Sequence, residues 1–417
     1  MNKKILIGLT IIIIVLAGCI QPPVPKPESL DDSQATEPGI KETVKGNNQF
    51  AIEMYSELNT EGKNLFFSPW SISSALAMTF EGAKGQTAEE MKSVLHFQEN
   101  DLDRRSSFAK IFNSLNKENT EFELSTANAL WAQKDYPFLE SYVDTTKKYY
   151  SAEFTNMDFV NKTEESRKTI NSWVEEKTNN KIKNLIPQGS IDSLTRMVLT
   201  NAIYFKGDWE TQFDKTKTKK EDFKVNETTT VQADMMSLKK GEEEFNYGET
   251  EELQIIEMPY KGKEISMIVL LPKNSLQETE SMLSPEKLDE WKKLMHKKDV
   301  YVYFPKFTFE TEYSLNEKLA EMGMPTAFSE NNADFTGMFD STKTTENLFI
   351  SQVIHKAFVK VDEEGTEAAA ATAVVMGATS AMPDFTEFRA DHPFIFLIQE
   401  NSTGSILFIG KVADPTI

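Results

Sequence analysis

The chain has 417 residues, 39% hydrophobic, 26% charged and 11% aromatic, a composition that excludes a fibrous or wholly disordered protein. Its 45 Lys and Arg against 65 Asp and Glu give a net charge of −20, which speaks against nucleic acid as a partner because phosphate binding needs a basic footprint. A single cysteine excludes an intramolecular disulfide framework, and His96, His296, His355 and His392 fit neither a zinc-finger nor an H-E-x-x-H spacing, so no metal or cofactor is expected.

Met1-Asn2-Lys3-Lys4 precedes an apolar run from Ile5 to Ala17. A charged start, a short apolar stretch and small residues at its end describe a secretory signal over residues 1–18. Leu16-Ala17-Gly18-Cys19 is similar to the bacterial lipoprotein box. That resemblance implies a lipid on Cys19, attachment to a membrane and a mature net charge of −22. The alternative is that Cys19 is an apolar residue of an uncleaved anchor. Residues 20–46 mix Pro22, Pro23, Pro25, Pro27 and Pro38 with Glu28, Asp31 and Asp32 and keep no apolar period. Residues 19–46 are therefore read as a lipidated terminus and tether, extended or disordered, and 47–417 as one large domain.

Asn47 and Asn48 are candidate caps for a helix with Phe50, Ala51, Met54, Tyr55 and Leu58 on one face. Pro69 opens a second helix, with Ile72, Leu76 and Phe80 aligned. Thr87-Ala88-Glu89-Glu90 has capping-box form. Residues 163–178 read as a surface helix. Seven runs read as strands: 197–205, 253–258, 265–271, 300–309, 353–361, 394–399 and 406–412. Several are continuously apolar, as in strands buried on both faces. Helices cluster early and strands late, an α+β arrangement.

Residues 363–383 are unusual. After Glu367 no charge appears until Asp384. An alanine-rich buried helix is one reading, but Thr372, Val374, Val375, Gly377 and Thr379 disfavour it. As a strand, one face carries Thr366, Ala368, Ala370, Thr372 and Val374, all small or β-branched. Such a segment suits an exposed loop in one state and a strand in another.

Six motifs in order resemble those of the serpins, from about residue 47 to 417. They are Asn64-Leu65-Phe66-Phe67-Ser68-Pro69-Trp70-Ser71-Ile72, then Leu199 through Trp209, Phe304-Pro305-Lys306-Phe307, His355-Lys356-Ala357, Phe388 through Phe394, and Phe408-Ile409-Gly410-Lys411-Val412 with Pro415. The resemblance implies helices around a large mixed central sheet, sheet A, with two smaller sheets and an exposed reactive loop. It implies a monomeric, metastable inhibitor that forms a covalent acyl complex with a serine protease, possibly a cysteine protease. The cut loop then inserts into sheet A.

Residue by residue, the resemblance makes Glu363, Gly365, Thr366, Glu367, Ala368, Ala369, Ala370 and Ala371 the hinge, and Thr379-Ser380 the bond attacked. Met376, Ala378 and Met382 remain alternatives for that bond. A small residue there suits an elastase-like or subtilisin-like target. Ser68, Ser71, Asn201 and His355 correspond to the polar shutter where sheet A opens, or else are satisfied buried polar groups. Trp209, Lys306 and Glu363 correspond to the breach where the loop enters.

No G-x-S-x-G elbow, P-loop or G-x-G-x-x-G is present, so an enzyme is not expected. Two readings stay open beside the inhibitor: a non-inhibitory serpin-fold binding protein and a lipid-anchored solute-binding protein. Residues 101–116 carry only Arg104, Arg105 and Lys110 among acids, and 215–220 read as a solvated basic loop, so heparin-type activation is not expected. Asn161, Asn226 and Asn401 open N-x-S/T sequons.

Overall fold

A computed structural model describes residues 29–117, 121–238, 244–366 and 386–417. The lipobox Cys19, the signal segment, Glu367, Ala368–Ala371 and the Thr379-Ser380 bond lie outside the described residues. Nine α-helices are present among the described residues: α1 (Glu37–Leu58), α2 (Pro69–Phe80), α3 (Gly85–Val94), α4 (Asp101–Leu115), α5 (Glu140–Tyr150), α6 (Phe159–Lys177), α7 (Leu276–Met282), α8 (Pro285–Leu294) and α9 (Asn316–Glu321). None is long and apolar enough to cross a membrane.

Sheet A runs β11 (Phe307–Ser314), β12 (Ile354–Val361), β13 (Gly365–Thr366), β4 (Met197–Asp208), β2 (Phe122–Gln133), β3 (Glu153–Met157). A second path joins β1 (Leu65–Phe67), β16 (Ile406–Val412), β15 (Phe394–Glu400), β9 (Ile265–Pro272), β8 (Leu253–Pro259) and β7 (Glu244–Glu249) to β10 (His296–Pro305), and continues to β6 (Thr230–Leu238) and β5 (Lys219–Lys224). β14 (Thr386–Arg389) lies parallel to β10. The first residues of β10 pair with β7 and its last with β6, so this strand links the two further sheets. The α+β architecture read from the sequence is the one observed.

Strands β9, β15 and β16 are buried at every position, which explains their unbroken apolar runs. Phe66 of β1 stacks on Phe408 with centroids 5.1 Å apart. The run 300–309 is two strands: β10 ends at Pro305 and β11 begins at Phe307, in different sheets, with Lys306 at the corner.

Three readings of helix starts and of the tether are corrected. The helix read from residue 47 begins at Glu37, capped by Thr36, whose Oγ1 accepts from the Gly39 N–H. Residues 29–46 are therefore not an extended tether: Leu30 and Val44 are buried in the main core. Asn47 and Asn48 lie inside α1 and reach across the fold. Asn47 Nδ2 donates to the Ile406 carbonyl, and Asn48 bonds Gly404 and Ile406. Thr87 is no cap; α3 starts at Gly85, and the buried Thr87 Oγ1 accepts from the Asp334 N–H. Pro69 does open α2, with Ser68 as its cap.

Candidate functional site: a wedge in sheet A

The site is built on two parallel neighbours, β4 and β12. They pair directly only where His355, Lys356 and Ala357 stand opposite Asn201, Ala202 and Ile203. Nearer the β4 C-terminus the two strands are split. Gly365 and Thr366 of β13 enter between them, opposite Asp208 and Gly207 on one side, with Thr366 opposite Val361 on the other. β13 is antiparallel to both flanking strands. Gly365 and Thr366, two of the residues expected to form the hinge, thus make a wedge in sheet A.

Gly365 is required by close approach. A Cβ there would lie 2.1 Å from the Gly207 carbonyl oxygen and 2.7 Å from the Asp208 Cα, distances no side chain tolerates. Gly207 is crowded from the other face, where a Cβ would meet the rings of Phe205 and Tyr260 at 2.8 and 2.9 Å.

The breach residues do converge here. Trp209 is buried, donates its indole N–H to the Asp362 carbonyl at 3.0 Å and its backbone N–H to the Glu364 carbonyl at 2.8 Å. Its ring stacks on Tyr260 at 4.6 Å. Lys306 Nζ donates to Glu363 Oε2 at 2.8 Å, and Thr218 Oγ1 to Glu363 Oε1 at 2.7 Å. Burial works against ionisation of Glu363, but the hydrogen bonds from Lys306 and Thr218 outweigh it and hold its carboxyl below the usual range.

Two neighbours were not legible from sequence. Tyr260 shares a 2.7 Å hydrogen bond with the Thr366 hydroxyl. Lys215, from the basic run read as a solvated loop, pairs with Glu364, and that hydrogen bond raises the Lys215 pKa. With Lys360 on Asp362 at 2.9 Å, each acid of Asp362-Glu363-Glu364 has its own lysine. Lys215 lies 149 residues from Glu364 and Tyr260 106 residues from Thr366, separations that left no local signal.

Of the shutter residues, Ser68, Ser71 and His355 meet below the wedge. The Ser68 backbone N–H donates to His355 Nε2 at 3.1 Å, and its Oγ donates to the Leu407 carbonyl at 2.6 Å while accepting from the Ser71 N–H at 3.1 Å. Asn201 is placed by register, opposite His355. The cluster ties β12 of sheet A to β16 through one residue, Ser68. His355 is fully buried, and burial lowers its pKa to about 3, so the ring is neutral and its Nε2 is an acceptor.

On α4, Arg104 and Arg105 turn to the buried carboxylate of Glu81, at 2.9 and 2.5 Å. Among the described residues no cluster of His, Cys, Asp and Glu is placed to hold a metal ion.

The serpin family model, described as serine protease inhibitor, matches residues 45–415. A serpin-like protein of Methanosarcina acetivorans is 44% identical over 380 residues, covering 88% of this chain and 87% of that one. Human serpin B3 is 44% identical over 393 residues, covering 89% and 99%. The crystal structure of human thyroxine-binding globulin complexed with thyroxine aligns with a TM-score of 0.81 at 34% identity, over 91% of this chain and all of that one. With the hinge wedged between β4 and β12 on this scaffold, the chain belongs to the serpin family of protease inhibitors.

Proposed function

We propose that this chain is a suicide inhibitor of serine endopeptidases, with cysteine endopeptidases as a secondary class. It traps the acyl-enzyme by inserting its cut loop into sheet A. The observation that carries this reading is the wedge. If the inserted loop keeps the register of Thr366 against Gly207 and Val361, Ala368 would fall opposite Phe205 and Val359, Ala370 opposite Ile203 and Ala357, and Thr372 opposite Asn201 and His355. Each position that turns to the buried face is then small or β-branched, as a packed interior demands. A central strand of about a dozen residues gains roughly 1 kcal/mol per backbone hydrogen bond, so on the order of 10 kcal/mol is released on insertion. That matches the stability of a whole domain, and the uncut fold is a kinetic trap.

The bond attacked is Thr379-Ser380, which suits an elastase-like or subtilisin-like protease. The protein acts outside the cytoplasm, held to a membrane by a lipid on Cys19. The likeness to thyroxine-binding globulin favours a second reading, a non-inhibitory binding protein.

Mixing residues 20–417 with an elastase-like protease at equal concentration, followed by denaturing gels and mass spectrometry, separates the two. A covalent band at the summed mass, linked at Thr379, supports the trap. Loop cleavage that releases active enzyme, repeated with subtilisin-like and trypsin-like proteases, overturns it.

A further inference from the structure

The sequons at Asn161, Asn226 and Asn401 are treated differently by the fold. A sequon can accept a sugar only where its Asn nitrogen is free, the hydroxyl two residues on is available, and the backbone can enter another protein's site.

Asn161 meets none of these conditions. It lies in the first turn of α6, where its Nδ2 donates to Asp158 Oδ1 at 3.1 Å and Oδ2 at 3.4 Å. The hydroxyl of its sequon, Thr163 Oγ1, donates to the Phe159 carbonyl at 2.6 Å. Asn401 sits in the turn between β15 and β16. Its Nδ2 donates to the Lys263 carbonyl at 3.0 Å and to Ser266 Oγ at 2.7 Å, which occupies both amide hydrogens. Thr403 Oγ1 donates to Glu400 Oε2 at 2.5 Å. Reaching either asparagine means unwinding a helix end or opening a hairpin whose strands are buried at every position.

Asn226 is the reverse case. It stands at the tip of the β5–β6 hairpin, where the Val225 and Asn226 N–H groups donate to the Thr229 carbonyl at 2.9 and 3.3 Å. Residues 226–230 are all exposed. The Thr228 N–H and Oγ1 both donate to Asn226 Oδ1 at 3.0 Å, an Asx turn. The Nδ2 is left without a partner among the described residues.

Resting on the location outside the cytoplasm proposed above, we propose that Asn226 is a site of N-glycosylation, with a lipid-phosphate-linked oligosaccharide as the co-substrate. The Asn226 Nδ2 attacks the anomeric carbon of that sugar. A C–N bond forms, the C–O bond to phosphate breaks, and the lipid phosphate leaves with the electron pair. One amide proton passes to a carboxylate of the transferring enzyme. Negative charge that develops on Oδ1 as this proton departs meets two Thr228 donors already in place. Among the described residues β5 is the edge strand of its sheet, and a bulky solvated sugar at its end stands where another chain would otherwise add a strand.

Two measurements test the site. The full chain isolated from the cells that make it is digested and its peptides are weighed. An oligosaccharide mass is expected on the peptide holding Asn226 and on neither of the other two. In the second, the folded full chain in detergent is incubated with an oligosaccharyltransferase that accepts N-x-S/T and with its lipid-linked sugar. Three synthetic peptides, one around each sequon, serve as the unfolded reference. The peptides should react at comparable rates, whereas the folded chain should be modified several-fold faster at Asn226 than at Asn161 or Asn401, and not at all in Asn226→Gln at that position. Equal or faster transfer to Asn161 or Asn401 in the folded chain overturns the geometric argument. A bare Asn226 in the cell-derived chain overturns the modification. If the same chain is still modified at Asn226 in vitro, the location outside the cytoplasm is what failed.

Discussion

The hydroxyl of Tyr260 lies 2.7 Å from that of Thr366, and this contact ties the second residue of β13 to the aromatic stack on Trp209. Gly365 and Thr366 lie inside sheet A, between β4 and β12. On the insertion reading proposed above, these two residues occupy the position a new central strand would take, and the rest of that strand would have a defined register to follow.

Gly365→Ala tests the close approach. Its Cβ would collide with the Gly207 carbonyl, so β13 should be expelled and later insertion slowed at the same place. The fraction of inhibitor cut without trapping protease should rise several-fold, read as the stoichiometry on a denaturing gel. An unchanged stoichiometry would show that the position tolerates a side chain.

His355→Ala removes the acceptor for the Ser68 N–H and leaves a hole between β12 and α2. The cost is about 2–4 kcal/mol. Heating should bring on polymers or spontaneous loop insertion at lower temperature than in the wild type. Chromatography after timed incubation measures this, and unchanged rates would refute it.

The same histidine predicts a pH dependence. Its folded pKa is about 3 against the ordinary histidine value of 6.5, so the unfolded chain binds the extra proton between those values. Stability contributed by the neutral ring is full above pH 6.5 and falls as pH drops toward 3, at up to about 1.4 kcal/mol per pH unit. The lowered pKa of Glu363 adds a second loss, which begins below its ordinary value of 4.5 and continues down through its depressed folded value. Denaturant unfolding at pH 7.5 and pH 5.5, compared between the wild type and His355→Gln, isolates the contribution of this histidine, and the variant should show the smaller loss.

Much of the fold was legible because its buried strands carry unbroken apolar runs and its motifs stand in order. The misses have physical causes. β2 contains Ser125, Thr126 and Asn128, and its pairing along 11 residues of β4 overrides that composition. β5 reads as charge because Phe223 is its only buried residue. The start of α1 was hidden by Pro38 and Gly39 near its N-terminus and Gly46 within it, and Asn47 looked like a cap because its true partner lies 359 residues away. In the site, Trp209, Lys306 and Glu363 were found through motifs. Tyr260 and Lys215 were not, because neither belongs to a motif and their contacts exist only in the folded chain.

Lys306→Met leaves the buried Glu363 carboxylate with Thr218 as its remaining side-chain partner. The loss should be about 1–2 kcal/mol, kept modest because the lysine itself is 36% exposed. Opening at the breach should show as faster hydrogen exchange at the Trp209 and Phe213 amides, which donate to Glu364 and Glu363. Exchange confined to other regions would disprove the link.

Arg389 holds the strand that follows the loop. Its guanidinium stacks on Tyr303 at 3.5 Å and pairs with Glu221 at 2.7 Å and Glu387 at 2.6 Å. On the insertion reading proposed above, an uncut loop entering sheet A would pull on β14, which is paired with β10. Arg389→Ala should therefore speed loss of inhibitory activity without cleavage several-fold at 45 °C. Residual activity and loop susceptibility to protease, followed together over hours, would expose the opposite result.

The parallel contact between β4 and β12 has a further meaning on the reading proposed here. A gap that accepts one strand can be filled once. Each molecule is then spent by a single encounter. The capacity of a cell surface to restrain proteolysis would be counted in molecules displayed rather than set by a dissociation constant, and it would recover only as fast as new chains are made.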